Sequence, residues 1–307
     1  MAIDLTRYLT TITCKEHPTQ RALWVDAWDY WNRLLNKDSV NKGQPPPWHD
    51  IAAIIVHIKQ LQSLVDSDVV TLEVGDFYTS WLRTHPRLLH AMGDKRRLGY
   101  ALRTMLAEQE AREQLKDIVD ALCESCRDKP VVLAIPSPKQ WIANAYCAAK
   151  GVSTVDISWD DAESASMYVA DFLRSLSECA ISGLLIRDKI NQGPASDSEL
   201  ARYQPVLNVA EHYRWQSILD GCPQNYEPNP NTGISFSLRE NQRTQQSNNT
   251  LTALKLSTQD WSQHPSSIEQ DYVCYYVCIP VDAIPETVAA NLTQLRTVRE
   301  AINDDAC

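Results

Sequence analysis

Glycine is the residue that this chain most clearly lacks: it has nine, where average usage of about 7% would give roughly 21. The shortage excludes collagen-like and low-complexity chains, and the glycine-rich phosphate loops GxxxxGK[ST] and GxGxxG do not occur. Phenylalanine is scarce too, with three residues, whereas tryptophan is as frequent as glycine. The tryptophan surplus indicates either bulky core packing or a pocket with aromatic walls.

Long apolar runs and clusters of positive charge are also missing. The longest apolar runs, such as residues 52–56, fall short of the ~20 residues of a membrane helix, and no secretory signal begins the sequence. A net charge of -10 without a Lys/Arg-rich stripe argues against a nucleic-acid partner. Nine scattered cysteines indicate reduced thiols. We therefore expect a cytoplasmic protein with a small-molecule substrate and no membrane partner; a homodimer is left open.

Short β-rich segments alternate with helical patterns along the chain, which is typical of βαβ units and a parallel sheet. The predicted strands are residues 21–28, 69–76, 130–135, 181–186, 205–210, 233–238, 251–256 and 272–279. The predicted helices are residues 51–65, about 88–127, a helix ending at Lys150 before Gly151, one starting with a capping box at Ser158 and Asp161, and one from Pro285 to about Ile302. This pattern predicts an α/β fold, a single-domain (β/α)8 TIM barrel over residues 1–307 with residues 1–20 as an N-terminal extension. An open, doubly wound sheet is the alternative.

Several predicted strand ends resemble those of uroporphyrinogen decarboxylases. Residues 22–30 (ALWVDAWDY) resemble the first strand of that family, and residues 69–78 resemble its second strand, which ends in a catalytic aspartate at the position of Asp76. Residues 135–141, 182–188 and 280–286 are similar to further strand ends of the wider superfamily. That superfamily also contains cobalamin-independent methionine synthase and zinc methyltransferases. The resemblance implies a TIM-barrel enzyme in which Asp76 is catalytic.

Two departures from the family pattern imply a divergent member. The decarboxylases place arginines after the first strand to hold a tetrapyrrole, but residues 26–30 contain two aspartates and no arginine, so a porphyrinogen substrate is not expected. Zinc methyltransferases use a His-x-Cys pair at the end of a middle strand, where residues 208–210 here offer Asn-Val-Ala. We favour a carbon–carbon lyase such as a decarboxylase in specialised metabolism. Methyl or one-carbon transfer, with or without zinc, and a non-catalytic binding barrel are the alternatives.

Chemistry in such a barrel lies at the C-terminal ends of the strands. The polar residues predicted there are Asp26, Asp29, Asp76, Tyr78, Lys139, Arg187, Asp188, His212, Arg239 and Asp282. Asp76 follows an apolar strand, where burial can raise the pKa of a carboxyl group and suit it to proton transfer, and Tyr78 is grouped with it as catalytic. His212, directly after the predicted fifth strand, is the candidate partner acid/base, and Arg187 or Arg239 would anchor a substrate carboxylate. For any one of these residues, an ordinary solvated loop is the competing interpretation.

Trp24 and Trp28 flank Asp26. If they share its face, they wall a pocket that holds a carboxylate and suits a flat or cationic group; packing on the outside of the barrel is the alternative.

No cofactor is expected from the spacing of ligand-type residues. The single CxxC motif at residues 123–126 has no second pair, and Cys274 and Cys278 would lie roughly 13 Å apart in a strand. A mixed zinc site of His212, Glu240 and Cys278, drawn from three strands, is the one metal site left open.

Overall fold

The computed structural model describes residues 2–14, 21–38, 46–188, 193–223, 226–240, 251–256 and 273–296. The strands in these ranges are β1 Leu23–Asp26, β2 Val70–Glu73, β3 Val131–Pro136, β4 Gly183–Arg187, β5 Gln216–Asp220, β6 Phe236–Glu240, β7 Leu251–Leu256 and β8 Tyr275–Cys278. All paired strands are parallel, in the order β1-β8-β7-β6-β5-β4-β3-β2, and the sheet curls into a nearly closed barrel. The predicted (β/α)8 barrel is confirmed.

Helices surround the barrel. They are α1 Leu5–Cys14, α2 Trp28–Asp38, α3 Ile51–Val65, α4 Val74–Thr84, α5 Pro86–Met92, α6 Leu98–Leu106, α7 Gln109–Ser125, α8 Pro138–Lys150, α9 Trp159–Arg174, α10 Asp197–Leu200, α11 Gln204–His212 and α12 Pro285–Arg296. Of the described helices, none is long and apolar enough to cross a membrane.

Two apolar cores hold the barrel together. One lies between the strands and the helices, and the other fills the barrel interior with large side chains such as Trp24, Phe236 and Tyr276. Leu5 and Leu9 of α1 belong to the interior core and are fully buried, so α1, within the predicted N-terminal extension, packs against the lower end of the barrel. The upper end, where the strands terminate, is left for a site.

β1 and β2 are the two edge strands of the sheet order, and side chains bridge the seam between them. The carboxylate of Asp68 accepts a hydrogen bond from Leu23 N at 2.7 Å, and Ser67 Oγ accepts one from Val25 N at 2.9 Å. The backbone N–H of Asp68 donates to Leu23 O at 2.8 Å. The backbone groups of Leu23 and the N–H of Val25 therefore have hydrogen-bond partners across the seam, although β1 and β2 form no regular strand ladder there.

The predicted fifth strand, residues 205–210, is wrong. These residues lie in α11, which starts with Pro205 in its first turn and buries Val206, Leu207, Val209 and Ala210. That spacing is helical, because positions i, i+1, i+3 and i+4 share one face of a helix. The true β5 follows at Gln216–Asp220.

The predicted long helix over residues 88–127 is divided into parts of α5, α6 and α7. Gly93 ends α5, and its backbone is so close to α8 that an added Cβ would lie 3.2 Å from Ala149 O. The predicted caps are confirmed: Gly151 is left-handed with φ 64°, Ser158 and Asp161 form a capping box, and α12 starts at Pro285. The predicted end near Ile302 lies outside the described residues.

Candidate active site at the barrel mouth

The last inward-facing residues of the strands converge at the upper end of the barrel. Strand side chains alternate between the two faces of a sheet, so residues that continue the interior rows of apolar side chains also point inward. Asp26 ends the row that contains Trp24, and Arg187 ends the row that contains Leu185. The register places Arg187 beside Asp220 on the neighbouring strand.

Arg187 is the centre of this mouth. Its Nη1 donates to Glu73 Oε1 at 2.8 Å, and its Nη2 lies 3.2 Å from Asp26 Oδ2 and donates to the Tyr276 hydroxyl at 2.7 Å. Its Nε lies 3.9 Å from Asp220 Oδ2. Burial alone would lower the pKa of the Arg187 guanidinium, but Glu73 and the other anionic neighbours outweigh burial and raise it well above its ordinary value. The guanidinium is thus a permanent cation that ties three strand-end carboxylates together.

A second cation and two weak acids complete the mouth. Lys255 Nζ donates to Asp220 Oδ1 at 2.6 Å, and although burial lowers the pKa of Lys255, Asp220 raises it more, so the amine stays charged. Burial raises the pKa of Tyr276 well above its ordinary value, and its hydroxyl donates to Asp26 Oδ2 at 3.0 Å. Burial, with Asp26 next, raises the pKa of Cys278 to about 12. Lys255 and Cys278 are therefore poor nucleophiles at neutral pH, because each carries a proton there.

A cavity of 340 Å³ opens from this mouth and runs outward between α4 and α8. Its volume falls within the range of small-molecule sites. α4 approaches the sheet closely here, because Gly75 has no Cβ, which would lie 2.9 Å from Pro136 Cγ. The lining residues are Glu73, Gly75, Asp76, Tyr78, Thr79, Leu82, Arg83, Leu89, Met105, Ile135, Pro136, Gln140, Trp141, Asn144, Ala145, Ala148 and Arg187.

Asp76 lies in this cavity together with Arg187. Strand β2 ends at Glu73, three residues earlier than predicted, so Asp76 is in the first turn of α4. Trp28 Nε1 donates a hydrogen bond to Asp76 Oδ2 at 2.6 Å, which fixes one oxygen of the carboxylate. Trp28 itself packs against Trp48. The structure therefore brings the predicted Asp76, Arg187 and Trp28 to one place.

Tyr78 also lines the cavity, and its ring packs edge-on against Trp141 and Phe172. Its buried hydroxyl has no hydrogen-bond partner among the described residues, and burial raises the pKa of Tyr78.

Two predicted site residues lie elsewhere. His212 is exposed at the C-terminal end of α11, which leads into the start of β5, so it lies at the lower end of the barrel, opposite the mouth. Its placement after a strand was wrong because residues 205–210 are helical. Arg239 is held outside the mouth, where its Nη1 donates to Glu227 Oε1 at 2.8 Å and its Nη2 to Tyr226 O at 2.6 Å.

Trp24 shares the inward face of Asp26 but is fully buried below it, against Tyr276 and Phe236, and its Nε1 donates to Thr71 Oγ1 at 2.8 Å. It therefore fills the barrel core and cannot stack on a ligand, so the predicted pocket wall of Trp24 and Trp28 is wrong.

The remaining candidates sit around the mouth without lining the cavity. Asp188 is buried and accepts a hydrogen bond from Ser137 Oγ at 3.0 Å. Lys139 stacks over the Trp159 ring at 4.2 Å. Asp29 in α2 and Asp282 after β8 are exposed.

The middle strand β5 ends at Asp220 and is followed by Gly221 and Cys222, so the ligand types at this strand end differ from those of residues 208–210. Burial raises the pKa of Cys222 to about 12, and Asp220 is occupied by Lys255. His212 and Cys278 lie at opposite ends of the barrel, and the side chain of Glu240 lies outside the described part of the chain. Among the described side chains, no group of three His, Cys, Asp or Glu is arranged to hold a metal.

Sequence reasoning missed Glu73, Asp220, Lys255 and Tyr276. The sequence does carry a signal for Lys255, which is the single charged residue in the strand segment LTALKL. Glu73 lay inside a predicted strand that ran too far, and Asp220 lay in a strand that was not predicted.

The fold and this mouth define a (β/α)8 barrel, an architecture common among enzymes, with polar chemistry at the strand ends where such barrels carry their sites. No protein-family model matches the chain, and no curated protein is significantly similar to it.

Proposed function

We propose that the protein is an enzyme that acts on a small molecule in the cavity between α4 and α8, and that its reaction is a carbon–carbon cleavage of the decarboxylase kind. The observation that carries the proposal is that Asp76 and Arg187 line the same cavity of 340 Å³. Arg187, a permanent cation, can bind an anionic substrate, and Asp76 can protonate the carbon from which CO2 departs.

In the proposed reaction, Arg187 binds the substrate near the carboxylate that leaves. Its Nε is buried and has no hydrogen-bond partner among the described residues, so it can donate to a substrate oxygen. The bond to the carboxyl carbon breaks, the electron pair stays on the substrate, and CO2 departs. Asp76, in its protonated form, gives a proton to that carbon and regains one from water.

The resemblance of the strand ends to uroporphyrinogen decarboxylases supports this reaction type, with Asp76 at the position of their catalytic aspartate. A porphyrinogen is not the proposed substrate. Asp26 stands where those enzymes begin their arginine-bearing segment, and it is already engaged by Arg187 and Tyr276. We propose a divergent, specialised member of that superfamily.

Untargeted metabolite profiling tests the proposal. Wild-type protein incubated with a metabolite extract should consume one compound and release a product lighter by one CO2. Asp76→Asn should lower that rate by about 10²–10⁴-fold, because the amide keeps an oxygen for the Trp28 N–H but carries no transferable proton. Asp156→Asn, the same change at an exposed loop position, should leave the rate unchanged.

Other outcomes would overturn the proposal in identifiable ways. A product heavier by one methylene unit would favour one-carbon transfer, although the described donors do not form a zinc site. A compound that binds without being consumed would favour a non-catalytic barrel. Full activity of Asp76→Asn would remove the proton-transfer role of Asp76.

A further inference from the structure

One face of α4 lines the cavity from its inner end to its outer end. Asp76, Thr79, Leu82 and Arg83 all line the cavity, and their spacing of three and four residues puts them on one side of the helix. Asp76 and Arg83 are seven residues apart, which corresponds to ~10 Å along a helix. A carboxylate and a guanidinium therefore mark two ends of the same cavity.

The lining between these ends is mainly apolar, with the exposed Thr79 as a polar exception on α4, and the outer end is open. Leu82, Met105 and Trp141 are buried lining residues, whereas Arg83 and Asn144, on the two facing helices, are exposed. A ligand that reaches Asp76 and fills the length of the cavity would extend along this lining to Arg83.

The segment that begins at Arg83 is strongly basic, although the whole chain carries a net charge of -10. Residues 83–103 contain one acid, Asp94, and six exposed cations. The cations are Arg83, Arg87, Lys95, Arg96, Arg97 and Arg103. The ion pairs found among the described residues involve none of the six. Clustered cations beside a cavity raise the local concentration of anionic ligands.

We infer that the substrate has an apolar body ~10 Å long and carries, at the end remote from the reacting carbon, an anionic group that binds Arg83. The anionic group is a carboxylate or a phosphate. The inference rests on the proposed function in taking this cavity as the reaction site, and it adds a specificity-determining residue that does not take part in the chemistry.

A matched pair of fluorescent probes tests the role of Arg83. Anilinonaphthalene sulfonate and N-phenylnaphthylamine share an apolar body, but only the first is anionic. Arg83→Gln should weaken binding of the sulfonate about fivefold, as expected for one exposed charge contact, and leave binding of the neutral probe unchanged. Arg83→Lys should retain most of the sulfonate affinity, since it keeps the charge.

Arg103→Gln is the matched control, because it removes an exposed cation of the same basic segment from a position that does not line the cavity. It should leave the ratio of the two affinities near the wild-type value. Displacement of the sulfonate by octyl phosphate or by octanoate, with octanol as the neutral comparison, then identifies which anionic group the site prefers.

An unchanged affinity ratio in Arg83→Gln, equal weakening of both probes, or displacement by octanol as strong as by the two anions would overturn the inference. Dependence of probe binding on Arg83 in a protein that consumes no metabolite would instead support the binding site and count against the proposed reaction alone.

Discussion

At the scale of single residues, the positive charge of Arg187 balances the carboxylates of the barrel mouth. The last residues of β1, β2 and β5 are the carboxylates Asp26, Glu73 and Asp220. The Arg187 guanidinium lies within 3.9 Å of each. Desolvating such a group is costly, and it is tolerated only while every charge keeps its partner. Arg187 therefore has a structural role at the mouth as well as its proposed role in binding.

Arg187→Met should lower the free energy of unfolding by about 3–5 kcal/mol at pH 7, because the buried carboxylates of Glu73 and Asp220 and the partly buried one of Asp26 would lose their common cation. The deficit relative to wild type should shrink as the pH falls toward 5, since protons can then neutralise the stranded carboxylates. Urea unfolding at both pH values measures the difference.

Arg174→Met provides the comparison, because Arg174 is exposed at the end of α9, and its loss should cost less than about 0.5 kcal/mol. A variant at Arg187 as stable as the one at Arg174 would contradict the role assigned to the network.

Asp26 and Arg187 show how much of the site could be predicted from the sequence. Asp26 and Arg187 were predictable, because each directly ends an apolar segment whose strand character is plain. Their mutual ion pair was not, since it depends on how far each strand extends and which neighbours it pairs with. Arg239 also follows an apolar segment that was predicted to be a strand. Side chains alternate between the two faces of β6, however, and Arg239 lies on the outer face, where Glu227 binds it.

At the scale of elements, helices α2 and α3 enclose a histidine that can report on their packing. His57 of α3 is buried against Trp28 and Trp31, and its Nε2 lies 3.0 Å from Asn32 Oδ1. Burial lowers the pKa of His57 to about 4. The folded protein thus holds a neutral imidazole directly behind the tryptophan that binds Asp76.

This shift predicts a pH-dependent stability. In the unfolded chain His57 takes up a proton below pH 6.5, whereas in the fold it stays neutral to about pH 4, so its contribution is complete above 6.5 and falls as the pH drops toward 4. The full loss amounts to about 3 kcal/mol. His57→Gln should flatten the pH dependence of unfolding between pH 6.5 and 4, measured by denaturant titration.

His212→Gln is the control for that experiment, because His212 is exposed and should leave the pH dependence as in wild type. Equal slopes for wild type and His57→Gln would show that burial does not perturb this imidazole.

Elements with a strong local signal were predicted well, and those whose identity depends on tertiary context were not. The capping box at Ser158 and Asp161 fixed the start of α9 because it is satisfied within one turn. The segment QSILD of β5 has one apolar pair between polar residues, and only its burial between β4 and β6 makes it a strand. Apolar residues of α11 were taken for that missing strand.

At the scale of the whole molecule, the barrel is sealed below and at the side by features outside the regular strand ladders. Leu5 and Leu9 cover the lower end, and Asp68 and Ser67 bridge the seam between β1 and β2. Asp68 also binds Arg296 of α12, at 3.0 Å from Nη1 to Oδ2, so the last described helix is tied to the same seam. Closure at this seam keeps Asp26 of β1 within reach of Glu73 of β2 through Arg187.

Asp68→Ala should open that seam, because it leaves the N–H of Leu23 without its acceptor and removes the carboxylate that binds Nη1 of Arg296. Hydrogen–deuterium exchange should become faster in peptides that cover β1 and stay unchanged in those that cover β5, and the free energy of unfolding should fall by about 1–3 kcal/mol. Asp66→Asn, in the same turn but exposed, should alter neither, since its carboxylate accepts no backbone hydrogen bond across the seam. Equal acceleration in β1 and β5 would mean that the barrel loosens globally, and that the seam is not a separate point of closure.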